Sequence, residues 1–222
     1  MGTWEFFVSA LIFLFVIVDP VSTVPIFLGM TPDNSRAERE RMVAVACIVT
    51  AGILLFFAAA GLLIFSYLGI TLHALQVAGG ILLFVIALDM LMAREAKGKL
   101  SSGEEAAGRT KDDVAVTPLA IPLLAGPGAI SAVVILQGQA EGLEQTGLLY
   151  LALVLVLAAT FVILRLACGG ATLIHPLVMQ VVRRTSGLVL AAISIQFILD
   201  GLRESRVFVE PLMEMLRAAG AP

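Results

Sequence analysis

The feature that most constrains this chain is an aspartate followed by a proline, Asp19-Pro20, in the middle of an otherwise apolar run from Trp4 to Met30. Such a run exceeds the ~18 residues that mark a membrane-spanning helix. A charged group at its centre is expensive there and is a functional hypothesis by default. Ser22, Thr23 and Pro25 follow at once. A second interruption, Ala125-Gly126-Pro127-Gly128-Ala129-Ile130-Ser131, lies 107 residues later, taking the two prolines (127 − 20 = 107).

The composition fixes the environment of both. With 59% hydrophobic and 14% charged residues in 222 and a mean hydropathy of +1.02, the chain has too little polar surface to coat a soluble globule. It reads as an all-α polytopic membrane protein. A net charge of −3 with no basic surface speaks against nucleic acid as a partner. Cys47 and Cys168 both lie in apolar segments, so neither a disulfide framework nor a metal site is expected. His73 and His175 are not helically paired, and no phosphate-cradling ATP loop is present. No cofactor is expected. No nucleophile and base, or set of ligands, has the spacing of a catalytic site, so the chain does not read as an enzyme. The first run lacks a positive n-region and is read as a retained helix rather than a signal peptide.

Six transmembrane segments are predicted: Trp4 to Met30, Met42 to Leu68, Leu72 to Ala93, Ala115 to Gln137, Gly147 to Cys168, and Gly187 to Leu202. Asp33 to Arg41 reads as a charged turn and Ala140 to Thr146 as a short acidic loop. These give a first three-helix unit over 1–95, a polar cytoplasmic linker over 96–113, a second unit over 114–205, and an interfacial tail over 206–222. The odd loops hold Arg36, Arg39, Arg41, Arg94, Lys97, Lys99, Arg109, Lys111, Arg183 and Arg184, whereas loops two and four hold no Lys or Arg. Positive residues favour the cytoplasmic side, so both termini are predicted outside a cell (inner) membrane.

The offset of 107 holds beyond the breaks, pairing Gly80 with Gly187, Leu83 with Leu190, Ile86 with Ile193, and Asp89 with Gln196. A unit of three spans is odd, so a duplicated copy sits upside down. The expected architecture is therefore two inverted three-helix repeats with interrupted helices 1 and 4, a plan shared by many secondary transporters. Each break lies ~20 Å from either end of its segment at 1.5 Å per residue, near the bilayer centre.

Proline disfavours helix in the residue before it and suits the first helical position, so each break reads as one helix ending and another starting. Asp19 and Gly126 then fall at N-caps. A helix N-terminus offers unpaired amides and partial positive charge. Gly126 brings no capping side chain, which leaves the amides of Gly128, Ala129 and Ile130 for a small carboxylate. Asp19 either caps its own helix through Val21 or Ser22 or faces an ammonium group, and both readings stand. Together the breaks suit a zwitterion. Ser22, Thr23 and Ser131 add hydroxyls, although bonding back one turn is their commoner fate. Asp89 and Gln196 are candidates for completing the site or coupling it to a proton.

The runs Asp19-Pro20-Val21-Ser22-Thr23-Val24-Pro25-Ile26-Phe27 and Pro122-Leu123-Leu124-Ala125-Gly126-Pro127-Gly128-Ala129-Ile130-Ser131 resemble the paired signatures of the MarC/SnatA family of membrane proteins. The similarity covers nearly the whole chain. Where the first signature often has glycine after Val21, this chain has Ser22. The resemblance implies a transporter of small neutral amino acids such as glycine and alanine, driven by a proton or sodium gradient, in contact with membrane lipid. Its substrate-binding residues would be Asp19, Pro20, Ser22, Thr23, Gly126, Pro127, Gly128, Ala129, Ile130 and Ser131. The direction of transport and homo-oligomer formation are left open; the rival expectations are an amino-acid or small-metabolite exporter and, behind it, a passive channel or membrane enzyme.

Overall fold

The computed structural model describes residues 2–92, 115–169 and 176–204. The expected linker over 96–113 and tail over 206–222 lie outside the described residues. Those residues form eight helical segments and no strand: α1(Thr3–Val18), α2(Pro20–Met30), α3(Arg36–Tyr67), α4(Leu72–Leu91), α5(Ala115–Leu124), α6(Pro127–Gln139), α7(Gly142–Ala167) and α8(Pro176–Glu204). Five stretches are long and apolar enough to cross a membrane: Thr3–Met30, Arg36–Tyr67, Leu72–Leu91, Gly142–Ala167 and Gln180–Arg203. The chain is an integral, multi-pass membrane protein. The fourth expected span, Ala115 to Gln137, consists of two short helices, α5 and α6, of 10 and 13 residues, that part at the expected interruption.

Local chemistry sets these ends. Arg36 to Arg41, expected as a turn, is the first turn and a half of α3. Ser35 and Glu38 close a capping box around it, with Ser35 N donating to Glu38 Oε2 at 2.7 Å and Glu38 N to Ser35 Oγ at 3.3 Å. Arg183 and Arg184, expected in a loop, lie inside α8. Hydropathy marks where a chain enters lipid, whereas these helices run on into water. The turn from α3 to α4 passes through Gly69 at φ +72, where a side chain would be strained. Thr71 Oγ1 then caps α4 by accepting from Ala74 N at 3.2 Å.

α5 is wound as a π-helix, with Ala125 N donating to Ala120 O at 2.8 Å. Pro118 and Pro122 bring no amide to this segment, so an unbroken α ladder cannot form across it.

The most extensive helix pair is α4 on α8, and glycine makes it close. A Cβ on Gly80 would stand 2.8 Å from Ser194 O and 3.2 Å from Ile198 N, and one on Gly187 would stand 3.2 Å from both Ala87 O and Leu91 N. Residue numbers rise along one helix as they fall along the other, so the pair is antiparallel. α1 packs on α7, α3 on α5, α3 on α6, α2 on α7, α4 on α6 and α2 on α8. Fully buried Leu14, Leu54, Leu83, Ile135, Leu153 and Leu190 fill the centre. Large apolar residues such as Ile48, Phe56, Leu63, Val154 and Leu166 remain exposed on the outside, which suits lipid rather than water.

Contacts separate the two ends of the bundle. At one end a Cβ on Gly138 would meet the Leu72 side chain, and one on Gly201 would meet His73 O. At the other, Arg39 Nε donates to Thr31 O at 3.0 Å and Glu40 pairs with Arg36 at 2.8 Å and Arg165 at 3.6 Å. Arg165 also lies over the Phe161 ring at 5.7 Å.

Candidate functional site

The helices that flank the two interruptions contact one another in pairs, α1 on α6 and α2 on α5. At the first, α1 stops at Val18 and α2 starts at Pro20, with Asp19 alone between them at φ 48, ψ 60. This left-handed conformation is uncommon outside glycine, and Asp and Asn are the side chains that tolerate it. Asp19 is 6% exposed, and its Oδ1 accepts from Ser22 N at 3.3 Å. The capping reading is therefore realised, although that bond is long for a charged acceptor.

At the second interruption Ala125 and Gly126 separate α5 from α6. Gly126 is the N-cap at φ −69, ψ 167 and supplies no side-chain bond. Its extended backbone would accept any residue, so glycine here contributes the absence of a side chain rather than conformational freedom.

The two restarts share one backbone bond. Thr23 N donates to Asp19 O at 3.2 Å, and Ile130 N donates to Gly126 O at 3.1 Å. The second corrects the expectation that the Ile130 amide would be free: four residues past the cap, it is the first amide that reaches an intrahelical acceptor. Gly128 and Ala129 remain as the early amides of α6, one to two residues short of that acceptor.

The remaining expected residues divide. Pro20, Ser22 and Thr23 are buried with Asp19, and Thr23 Oγ1 donates to Asp19 O at 2.9 Å, so this hydroxyl is spent on the backbone. Pro127 is exposed, Gly128 and Ala129 are buried, and Ile130 is half-buried. A Cβ on Gly128 would meet Ile86 Cδ1 at 3.0 Å and Leu83 Cδ2 at 3.1 Å, which holds the start of α6 against α4. Ser131 abuts Gly79, whose Cβ would stand 3.0 Å from Ser131 Cβ. Asp89 is half-buried late on α4, toward the end where Met90 meets Gly187. Gln196 is on the far part of α8, exposed, and donates through Nε2 to Asp200 Oδ1 at 2.8 Å. The antiparallel packing of α4 and α8 thus sets Asp89 and Gln196 toward opposite ends.

Sequence reasoning missed the space that Gln196 lines. A cavity of ≈ 460 Å³ opens between α1, the α6–α7 turn and α8. Its polar wall is Ser9, Gln139, Glu141, Gln145, Gln196 and Asp200, and Phe13 and Phe197 also line it. Gln145 Oε1 accepts from Glu141 N at 2.9 Å, tying the turn to α7. The i, i+4 pair Gln196 and Asp200 on an apolar helix was the one legible signal.

A family model described as MarC family integral membrane protein matches residues 4–205. A UPF0056 membrane protein of Aquifex aeolicus is 38% identical over 197 residues, covering 89% of this chain and 92% of its own. The UPF0056 membrane protein YvbG of Bacillus subtilis is 35% identical, covering 90% and 95%. YhcE of Escherichia coli, also a UPF0056 membrane protein, is 29% identical, covering 90% and 91%. No solved structure matches the chain.

Proposed function

Because the chain belongs to the MarC family of integral membrane proteins, as the two signatures indicated, we propose that it is a secondary transporter of small neutral amino acids, of the glycine and alanine class. The zwitterion binds between the two breaks near the bilayer midplane, its ammonium toward Asp19 and its carboxylate toward the amides of Gly128 and Ala129. A proton or sodium gradient drives it.

The observation that carries this reading is the pair of matched helix restarts. Asp19 and Gly126 both precede a proline at the first helical position, and each carbonyl accepts from the amide four residues on, at 3.2 and 3.1 Å. One restart has a carboxylate at its cap and the other has none. A ligand with two ends of opposite charge complements that difference.

Six crossings in two inverted repeats give the site its setting. The offset of 107 carries Gly80 to Gly187, Ala87 to Ser194 and Leu91 to Ile198, and these backbones approach closely across α4 and α8. It also exchanges the pairing of α1 on α7 with α5 on α3, and of α3 on α6 with α7 on α2. A twofold axis in the membrane plane accounts for both. Rocking of one unit on the other would open the breaks alternately to each side. The end holding Thr31, Glu40 and Arg165 faces the cytoplasm of the cell membrane, in line with its arginines.

Purified protein reconstituted in liposomes tests the reading, with proton and sodium gradients imposed separately. Accumulation of labelled glycine or alanine under one gradient, collapsed by dissipating it, is expected. Flux that neither saturates nor responds to either gradient would favour a passive channel and overturn the proposal.

A further inference from the structure

The cavity between α1, α6 and α8 stops short of both breaks. On α1 its wall ends at Phe13, six residues and therefore ~9 Å before Asp19. On α6 its nearest residue to the break is Leu136, nine residues and ~13 Å beyond Pro127. Between lies an apolar layer, with Leu14, Val18, Ala132, Val133 and Leu190 all fully buried. At the boundary Phe13 and Phe197 meet edge to face, with ring centroids 5.0 Å apart and planes at 76°. Both rings are buried, at 4% and 6% exposure. Water and solute in the cavity therefore meet two aromatic rings before any polar group of the breaks.

We propose that this cavity is the outer vestibule of the transport path, receiving a small zwitterionic solute, and that the Phe13–Phe197 pair is the gate between vestibule and breaks. This rests on the transporter reading above. The wall fits such a solute: three side-chain amides and a hydroxyl donate and accept, and Glu141 and Asp200 favour an ammonium end, with no basic side chain among the lining residues. A volume of ≈ 460 Å³ holds a glycine with several waters. The gate needs no refolding. Phe13 is on α1 and Phe197 is on α8, so a small shift of one helix against the other parts the rings.

Cysteine accessibility tests the gate in full-length protein in which Cys47→Ala and Cys168→Ala remove the native thiols. Single cysteines are placed in the wall, Ser9→Cys, and below the rings, Ile17→Cys, and a charged, membrane-impermeant thiol reagent is added to spheroplasts. Ser9→Cys is expected to react at least tenfold faster than Ile17→Cys. Adding Phe197→Ala should raise the Ile17→Cys rate at least tenfold and leave that of Ser9→Cys unchanged. Should Phe197→Ala lose its monodisperse elution, Phe197→Leu, which keeps apolar contact and removes the ring edge, carries the same expectation at about threefold. An unreactive Ser9→Cys, equal rates at the two positions, or no response of Ile17→Cys to the ring substitution overturns the proposal. Glycine uptake measured on the same proteins separates the two readings. Uptake with flat labelling removes the gate alone, and gated labelling without uptake removes the amino-acid reading alone.

Discussion

The two helix restarts use the same proline and the same first backbone bond, yet they are finished in opposite ways. At the first, a buried carboxylate stands in a left-handed conformation and accepts from Ser22 N. At the second, an extended glycine offers nothing, and the position equivalent to Ser22 is Ala129 with no side-chain acceptor before it. The left-handed backbone and the charge are thus concentrated at Asp19, and the uncapped helix start lies at Gly126. The two restarts keep one backbone device and differ in the charge present at the cap.

Making the second break resemble the first should have the largest effect. Gly126→Asp introduces a side chain that φ −69 and ψ 167 accommodate without strain. It should cap α6 and stabilise the protein by about 0.2–0.5 kcal/mol. It should also occupy the amides and repel the substrate carboxylate, lowering glycine affinity roughly a hundredfold or more, as expected for a desolvated charge facing a like charge. Scintillation proximity binding beside a thermal melt in detergent reads both. A fall in affinity with no gain in melting temperature would separate the electrostatic role from capping.

The symmetry of the frame is tested at the glycines of α4 and α8. Gly80→Ala presses a methyl on Ser194 O at 2.8 Å, and Gly187→Ala presses one on Ala87 O and Leu91 N at 3.2 Å. Each should cost about 1–3 kcal/mol by overpacking, visible as a lower melting temperature. Gly29→Ala, with nothing within 4 Å of its Cβ, is the control and should leave the melt unmoved or slightly raised. A large loss at one interface glycine and none at the other would break the equivalence of the two units.

A smaller effect isolates the cap at the first break. Asp19→Ala should melt lower than Asp19→Asn by about 1 kcal/mol, because asparagine keeps both an acceptor for Ser22 N and a tolerance for the left-handed conformation. Equal melts would show that the 3.3 Å bond contributes little. Smallest of all is Glu40→Gln: its partners Arg36 and Arg165 are largely exposed, and no change in melting temperature is expected.

How much could be read in the sequence follows from the range of the forces involved. Asp19-Pro20 located a helix end to the residue because proline acts on its immediate neighbour. The cap at Asp19 was legible for the same reason. The π winding of α5 was not, since prolines reveal missing amides but not which carbonyls the others choose. Arg36 to Arg41 and the start of α8 were assigned outside helices because hydropathy reports lipid contact and is silent on helix in water. The cavity was hidden because Ser9, Glu141 and Asp200 are far apart in the chain, and only packing of α1 against α6 and α8 brings them to one wall.

The central claim is that opposite finishes at two matched breaks hold the two ends of one zwitterion, and equilibrium binding of labelled glycine to purified wild type and Asp19→Asn tests it most directly. Asparagine preserves the backbone conformation and the cap and removes only the charge. Saturable binding by wild type, with affinity lowered at least thirtyfold in a variant that melts at the same temperature, is the predicted result. Equal affinity in the two proteins, or no binding by wild type, would contradict it.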